Sequence, residues 1–277
     1  MKTGLEALAE LPPPLQALVA GLGTLLLTAA GAALVAVGRL GGGALLDAML
    51  GFASGVMLAA AYWSLLEPAI TLAPALGHLP WEPPTVGLLA GAAFLAFADR
   101  MLPHLHPTLD PRNAEGPPTR WSTTTLLILA ITLHNIPEGL AIGVAFGAAS
   151  AQGGLEGTAS FGAALALSIG IALQNVPEGA SVAFPLRAGG TSRWHSFLAG
   201  SASAAVEPVA AVAGAVAVGW VLELLPYALA FAAGAMIYVV IEELIPSAHQ
   251  GGRADLVTVA AIGGFIVMMV LDVALGD

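Results

Sequence analysis

Leu133-His134-Asn135-Ile136-Pro137-Glu138-Gly139-Leu140 lies in the middle of an apolar run from about residue 122 to 148, and Leu173-Gln174-Asn175-Val176-Pro177-Glu178-Gly179-Ala180 lies in the middle of a second, from about 158 to 186. Each run exceeds the roughly 20 apolar residues that a helix needs to cross hydrocarbon. Each also holds an amide, a proline and an acid at its centre. His134 and Glu138 are four residues apart and share one helix face, as do Gln174 and Glu178. The prolines remove an N–H and crowd the preceding turn, which predicts bent helices with freed carbonyls, and Gly139 and Gly179 allow close backbone approach and local unwinding. Such breaks are tolerated at membrane depth where they line a polar cavity.

The rest of the chain fits the same solvent. Of 277 residues, 57% are hydrophobic and only 9% charged, which is more apolar surface than one soluble core can hide. There are no cysteines, so disulfides and thiolate metal sites are excluded. The net charge of -10 comes without a Lys/Arg block for nucleic acid or anionic lipid, and points toward cations. Residues 1–14, with their Pro12-Pro13-Pro14 run, read as a short uncleaved leader.

Hydropathy predicts an all-α, polytopic membrane protein forming a single transmembrane domain over 1–277, with eight helices at about 15–38, 44–66, 85–102, 122–148, 158–186, 194–220, 227–248 and 255–275. Arg39, Arg100, Arg112, Arg120, Arg187, Arg193 and Arg253 then fall on one face and only Lys2 on the other. Basic residues are retained on the cytoplasmic side, so both termini are expected outside the cytoplasm. Phe52-Ala53-Ser54-Gly55-Val56-Met57 of the second helix matches Phe231-Ala232-Ala233-Gly234-Ala235-Met236 of the seventh, and Glu67-Pro68 parallels the Glu243-Leu244-Ile245-Pro246 stretch. Together with the duplicated hexapeptide these suggest a 3+2+3 arrangement about an inverted pseudo-twofold axis, with a site near the midplane.

Glu138, Glu178 and Glu207, the last beside Pro208 in the sixth helix, would together cost roughly 8–10 kcal/mol if left charged and unpaired in lipid. No Lys or Arg lies within the spans that hold these acids to neutralise them. A bound cation, protonation or a water-filled cavity must do so, and imidazole, carboxylate and amide groups suit Zn2+ and its first-row neighbours. Taken singly, His134 would be a core histidine and each Glu a protonated packing residue; the duplication on adjacent antiparallel helices is what favours a metal site. Met57 by residue type is core. Glu242 and Glu243 form either an exit path or a solvated helix end, and His104 and His106 in the 3–4 loop either receive metal or are surface residues. Asp47 and Asp255 read as helix-starting residues, and Glu67, Asp99, Glu223 and Asp272 as solvated helix ends.

The His-Asn-x-Pro-Glu-Gly and Gln-Asn-x-Pro-Glu-Gly hexapeptides, the Gly-Phe-Ala-Ser-Gly-Val-Met-Leu stretch and the Glu-Glu-x-Ile-Pro segment resemble those of the ZIP family of metal transporters, in particular its prokaryotic GufA-like branch. The resemblance implies a binuclear centre. One site would use Met57, His134, Glu138, Gln174 and Glu178; its neighbour would use Asn135, Asn175 and Glu207, with Glu138 and Glu178 shared. Some members have Asp at the position of Asn175, so the second site here lacks one charge. It further implies uptake of Zn2+, or of Fe2+, Mn2+ or Cd2+, into the cytoplasm as substrate rather than cofactor, by movement of a helix 2, 4, 5, 7 bundle against the others. A bacterial inner-membrane location follows, and a homodimer is compatible with it. The rival readings are an intramembrane metal-dependent hydrolase, against which stands the missing H-E-x-x-H pattern, and a metal-sensing or structural membrane module.

Overall fold

The computed structural model describes residues 4–37, 43–103, 116–151, 160–220 and 222–275, and among these every regular element is a helix. A short turn of helix at Gly4–Ala9 precedes eight long helical rods: α1 (Pro13–Ala36), α2 (Gly43–Leu76), α3 (Glu82–Met101), α4 (Thr123–Ala151), α5 (Phe161–Ala188), α6 (193–220), α7 (Leu225–His249) and α8 (Ala254–Leu275). All eight predicted segments thus appear as helices. Six of them are long and apolar enough to cross a membrane. The remaining two are α3, which opens on Glu82 and closes on Asp99-Arg100, and α5, which carries Gln174, Asn175, Glu178 and Arg187.

The largest boundary difference is in α2, where the sequence predicts an end at residue 66. The helix instead widens into a π turn at Ala61–Leu66 and continues as Glu67–Leu72. Pro68 is tolerated because it falls at the start of the renewed α segment, where its missing N–H costs nothing. A second π turn, Val240–Leu244, occurs in α7 and is likewise followed by a proline, Pro246. In α6, a tighter 3-10 turn at Ser203–Val206 precedes Glu207-Pro208. The prolines of the hexapeptides behave differently: α4 and α5 remain helical through Pro137 and Pro177, so the expected unwinding at Gly139 and Gly179 does not occur.

Exposure is inverted relative to a soluble protein. Leu89, Phe97, Val259, Ile262 and Val273 are each more than half exposed, whereas Glu138, Glu178, Glu207, Asn135, Gln174 and Asn175 are buried. This distribution suits a bilayer as solvent, since lipid welcomes the first group and would strand the second.

Packing is set by small residues. α2 lies along α8, α3 along α7, α4 along α6 and α1 along α5. At each crossing a glycine faces the neighbour's backbone: Gly55 meets Ala261 while Gly264 meets Phe52, and Gly91 meets Phe231 while Gly234 meets Leu88. Gly139 similarly meets the carbonyl of Glu207, and Gly179 that of Thr28, so these glycines serve close approach alone. Any side chain at these positions would strike main chain, which has no rotamer by which to yield. The resulting sets are α1, α4, α5, α6 and α2, α3, α7, α8. The expected 2, 4, 5, 7 grouping would divide all four of the tightest pairs.

Candidate metal centre

α4 and α5 pack against one another and present their hexapeptides to a common interior. Gln174 Nε2 donates to Glu138 Oε1 at 2.7 Å, tying the first glutamate to the opposite helix. Asn175 Nδ2 donates to both oxygens of Glu207, each at 2.9 Å, and lies 3.5 Å from the carbonyl of Thr24 on α1. The sequence singled out Glu207 as a third intramembrane acid; the structure brings it to Asn175.

Much of this polar material has no hydrogen-bond partner among the described residues. Both amide atoms of Asn135, Glu138 Oε2, Gln174 Oε1, Asn175 Oδ1 and Glu178 Oε2 are buried and unpartnered. Buried polar groups in folded proteins are nearly always satisfied, and each one left open costs about 1–3 kcal/mol. Five of these six atoms on two adjoining hexapeptides are oxygens, and the Glu138 and Glu178 carboxyls lie within hydrogen-bonding reach of one another, so a shared proton or a cation must stand between their charges. That donor set suits a divalent cation.

His134 is nearly fully buried. Its Nδ1 is 2.6 Å from the carbonyl of Ala130, one turn earlier, and its Nε2 is 2.8 Å from Glu243 Oε2 of α7. Ala130 can only accept, so Nδ1 carries a proton and a neutral ring directs its Nε2 lone pair toward α7. The contact with Glu243 therefore requires one further proton, shared between the two groups. Glu243 is buried and joins the site, whereas its neighbour Glu242 is exposed. A narrow cavity of about 20 Å³ lined by His134, Glu178, Ser181, Glu243, Leu50 and Ser247 adjoins them, enough for about one water. Among the described residues no three His, Asp or Glu side chains stand close enough to hold an ion unaided. The amides are the other buried polar groups of this interior, and His134 is held by Glu243.

The sequence profile described as ZIP Zinc transporter matches residues 119–272, more than half of the chain. The chain belongs to the ZIP family. Zinc transporter ZIP11 of Homo sapiens is 41% identical to this ZIP chain, over 94% of it and 97% of the relative. Zinc transporter GufA of Myxococcus xanthus is 36% identical over 77% of this chain and 81% of the relative. Zinc transporter ZIPB of Bordetella bronchiseptica is 37% identical over 83% and 72%, respectively.

Other expectations for the ZIP chain resolve unevenly. Met57 is fully buried within the main apolar core. His104 and His106 lie outside the described residues. Asp255 stands in the first turn of α8, as read from sequence. Asp47 does not cap α2; it sits a turn inside it, buried, with Oδ2 2.9 Å from an Arg253 guanidinium nitrogen. Asp272 is not a solvated end either: it is buried and accepts from Ser64 Oγ at 2.7 Å. Ser64 lies within the α2 π turn as Glu243 lies within that of α7, so both π turns aim a polar residue at a neighbouring helix. Sequence reading passed over Thr24 and Thr28, whose four-residue spacing on α1 was the available signal for an inward-facing polar strip.

Proposed function

We propose that this chain carries Zn2+, or a similar divalent transition metal, across the membrane into the cytoplasm through the α4/α5 centre. The single observation that carries this reading is the set of six buried, unpartnered amide and carboxylate atoms on the two hexapeptides. The names of its relatives, zinc transporters of the same family, support Zn2+ as the substrate.

In this reading Met57, His134, Glu138, Gln174 and Glu178 hold one ion. Asn135, Asn175 and Glu207 hold a second, with Glu138 and Glu178 bridging. Soft thioether and imidazole beside carboxylates favour Zn2+ over Mg2+ or Ca2+, which prefer all-oxygen cages. Because both ions draw on buried carboxylates that lack cationic partners, the metal supplies the charge that the helices lack. His134 binds through Nε2, with the Ala130 carbonyl fixing the tautomer. Arrival of the ion displaces Glu243 and its shared proton; Glu243 then stands ready as the next ligand, with the adjoining cavity as the way out.

We further infer that all eight long helices span the bilayer, with both termini outside the cytoplasm in a bacterial inner membrane. The charge pattern supports this, since every arginine falls on one face. The 3+2+3 inverted plan is supported by the reciprocal glycine contacts: exchanging α2 with α7 and α3 with α8 carries Gly55 on Ala261 into Gly234 on Leu88. It also superposes the two π turns, which begin four residues after Met57 and four after Met236. Relative movement would then fall between the α1, α4, α5, α6 set and the α2, α3, α7, α8 set, the boundary that the His134–Glu243 contact crosses.

Purified protein in liposomes should accumulate Zn2+, and Glu178→Ala should abolish uptake while leaving the helical content unchanged. Equal uptake by the two proteins would remove the α4/α5 centre from the path.

A further inference from the structure

Where α1 ends and α6 begins, the two helices leave a groove of about 420 Å³ lined by Ala33, Val35, Ala36, Trp194, Phe197 and Arg193. Both helices are long and apolar enough to cross the membrane, so these ends meet the boundary between hydrocarbon and water. Trp194 is 63% exposed and stacks on Phe197 with ring centroids 5.4 Å apart. An exposed indole in this position is typical of the headgroup level, where its ring is half in lipid and half in water.

Charge separates this groove from an ordinary crevice between helices. From Ala180 to Val206 the chain has no acidic residue, but it has Arg187, Arg193 and His195, against a net charge of -10 overall. Arg187 is occupied by the turn, donating to the Thr191 carbonyl at 3.0 Å. Arg193 is exposed and has no carboxylate partner among the described residues. It is also the first residue of α6, whose Ser192 cap accepts from His195 N–H, so the positive end of the helix dipole adds to the guanidinium.

We propose that this groove binds an anionic phospholipid, with its phosphate on Arg193 and the amide end of α6 and one acyl chain along Ala33, Ala36 and Phe197. The apolar floor takes the chain, Trp194 fixes its depth, and the cation selects the headgroup. A bound lipid would join the end of α1 to the start of α6, two helices that pack in the same set as the hexapeptides. The proposal uses only the membrane placement of α1 and α6 and does not depend on the metal site.

The test is native mass spectrometry of the full chain in detergent, titrated with phosphatidylglycerol or with phosphatidylcholine of identical acyl chains. Phosphatidylglycerol should be retained preferentially. Arg193→Gln should weaken its binding roughly five-fold, the loss of one interfacial cation. Arg120→Gln, on the same predicted face, should leave it unchanged, and Ala33→Trp, which fills the groove, should displace both lipids. Equal losses from the two arginine variants would show only general attraction to a basic face and overturn the site. So would equal retention of the two lipids. Full competition by soluble glycerol phosphate would show a free-anion site and overturn the lipid assignment.

Discussion

Replacing Asn175 by Asp tests the second ion directly. In the present structure the Asn175 amide donates to both carboxylate oxygens of Glu207 at 2.9 Å, so a neutral group satisfies a buried acid without any metal. Asn175→Asp turns that donor into a second carboxylate. Two unit charges at this separation repel by about 6 kcal/mol at an effective dielectric of about 20, and the lost hydrogen bonds to a charged group add about 2 kcal/mol. Uptake of a shared proton relieves part of this, leaving a metal-free protein that is less stable by several kcal/mol. A divalent ion between the two acids reverses the sign of the interaction. If it recovers only a third of the repulsion, about 2 kcal/mol, Zn2+ affinity at the second site rises roughly thirty-fold. The assay is thermal unfolding of detergent-solubilised protein, followed by loss of the monodisperse peak, with Zn2+ or with chelator. Asn175→Asp should unfold at a lower temperature than the parent in chelator and gain more from Zn2+. The same unfolding temperature in chelator, or an equal gain from Zn2+ in both proteins, would refute placement of Asn175 beside Glu207 at an ion site.

The remaining predictions concern the proton and the packing. Zn2+ affinity should weaken as pH falls, because a proton and the metal compete for His134 Nε2; calorimetric affinity unchanged down to about pH 5, below the ordinary histidine range, would exclude His134 as a ligand. Glu243→Gln removes the acceptor of the shared proton, so calorimetry in buffers of different ionisation enthalpy should report about one proton fewer released per Zn2+. Gly234→Ala, whose new methyl would strike the Leu88 backbone, should cost about 1–3 kcal/mol. Gly263→Ala, with nothing near its added methyl, should leave the unfolding temperature unchanged.

Several features were legible without coordinates because they depend on local composition. The eight helices follow from apolar run lengths. His134, Glu138, Gln174 and Glu178 could be placed on facing turns because helical spacing is fixed. Glu243 was read only as a choice between exit path and helix end, since its role depends on which helix α7 meets at that depth. Asp47 and Asp272 were misread for a related reason. Asp47 was read as a helix-starting residue and Asp272 as a solvated end, but their partners Arg253 and Ser64 come from distant parts of the chain.

The sequence by itself determined a helical membrane protein with paired polar hexapeptides, because the length of an apolar run and the period of a helix are local properties of the chain. Only the tertiary structure decided which helices pair and which acid each amide serves. Those choices depend on glycines fitting against distant main chain, as Gly179 fits against Thr28 and Gly139 against Glu207, and no local pattern encodes the partner.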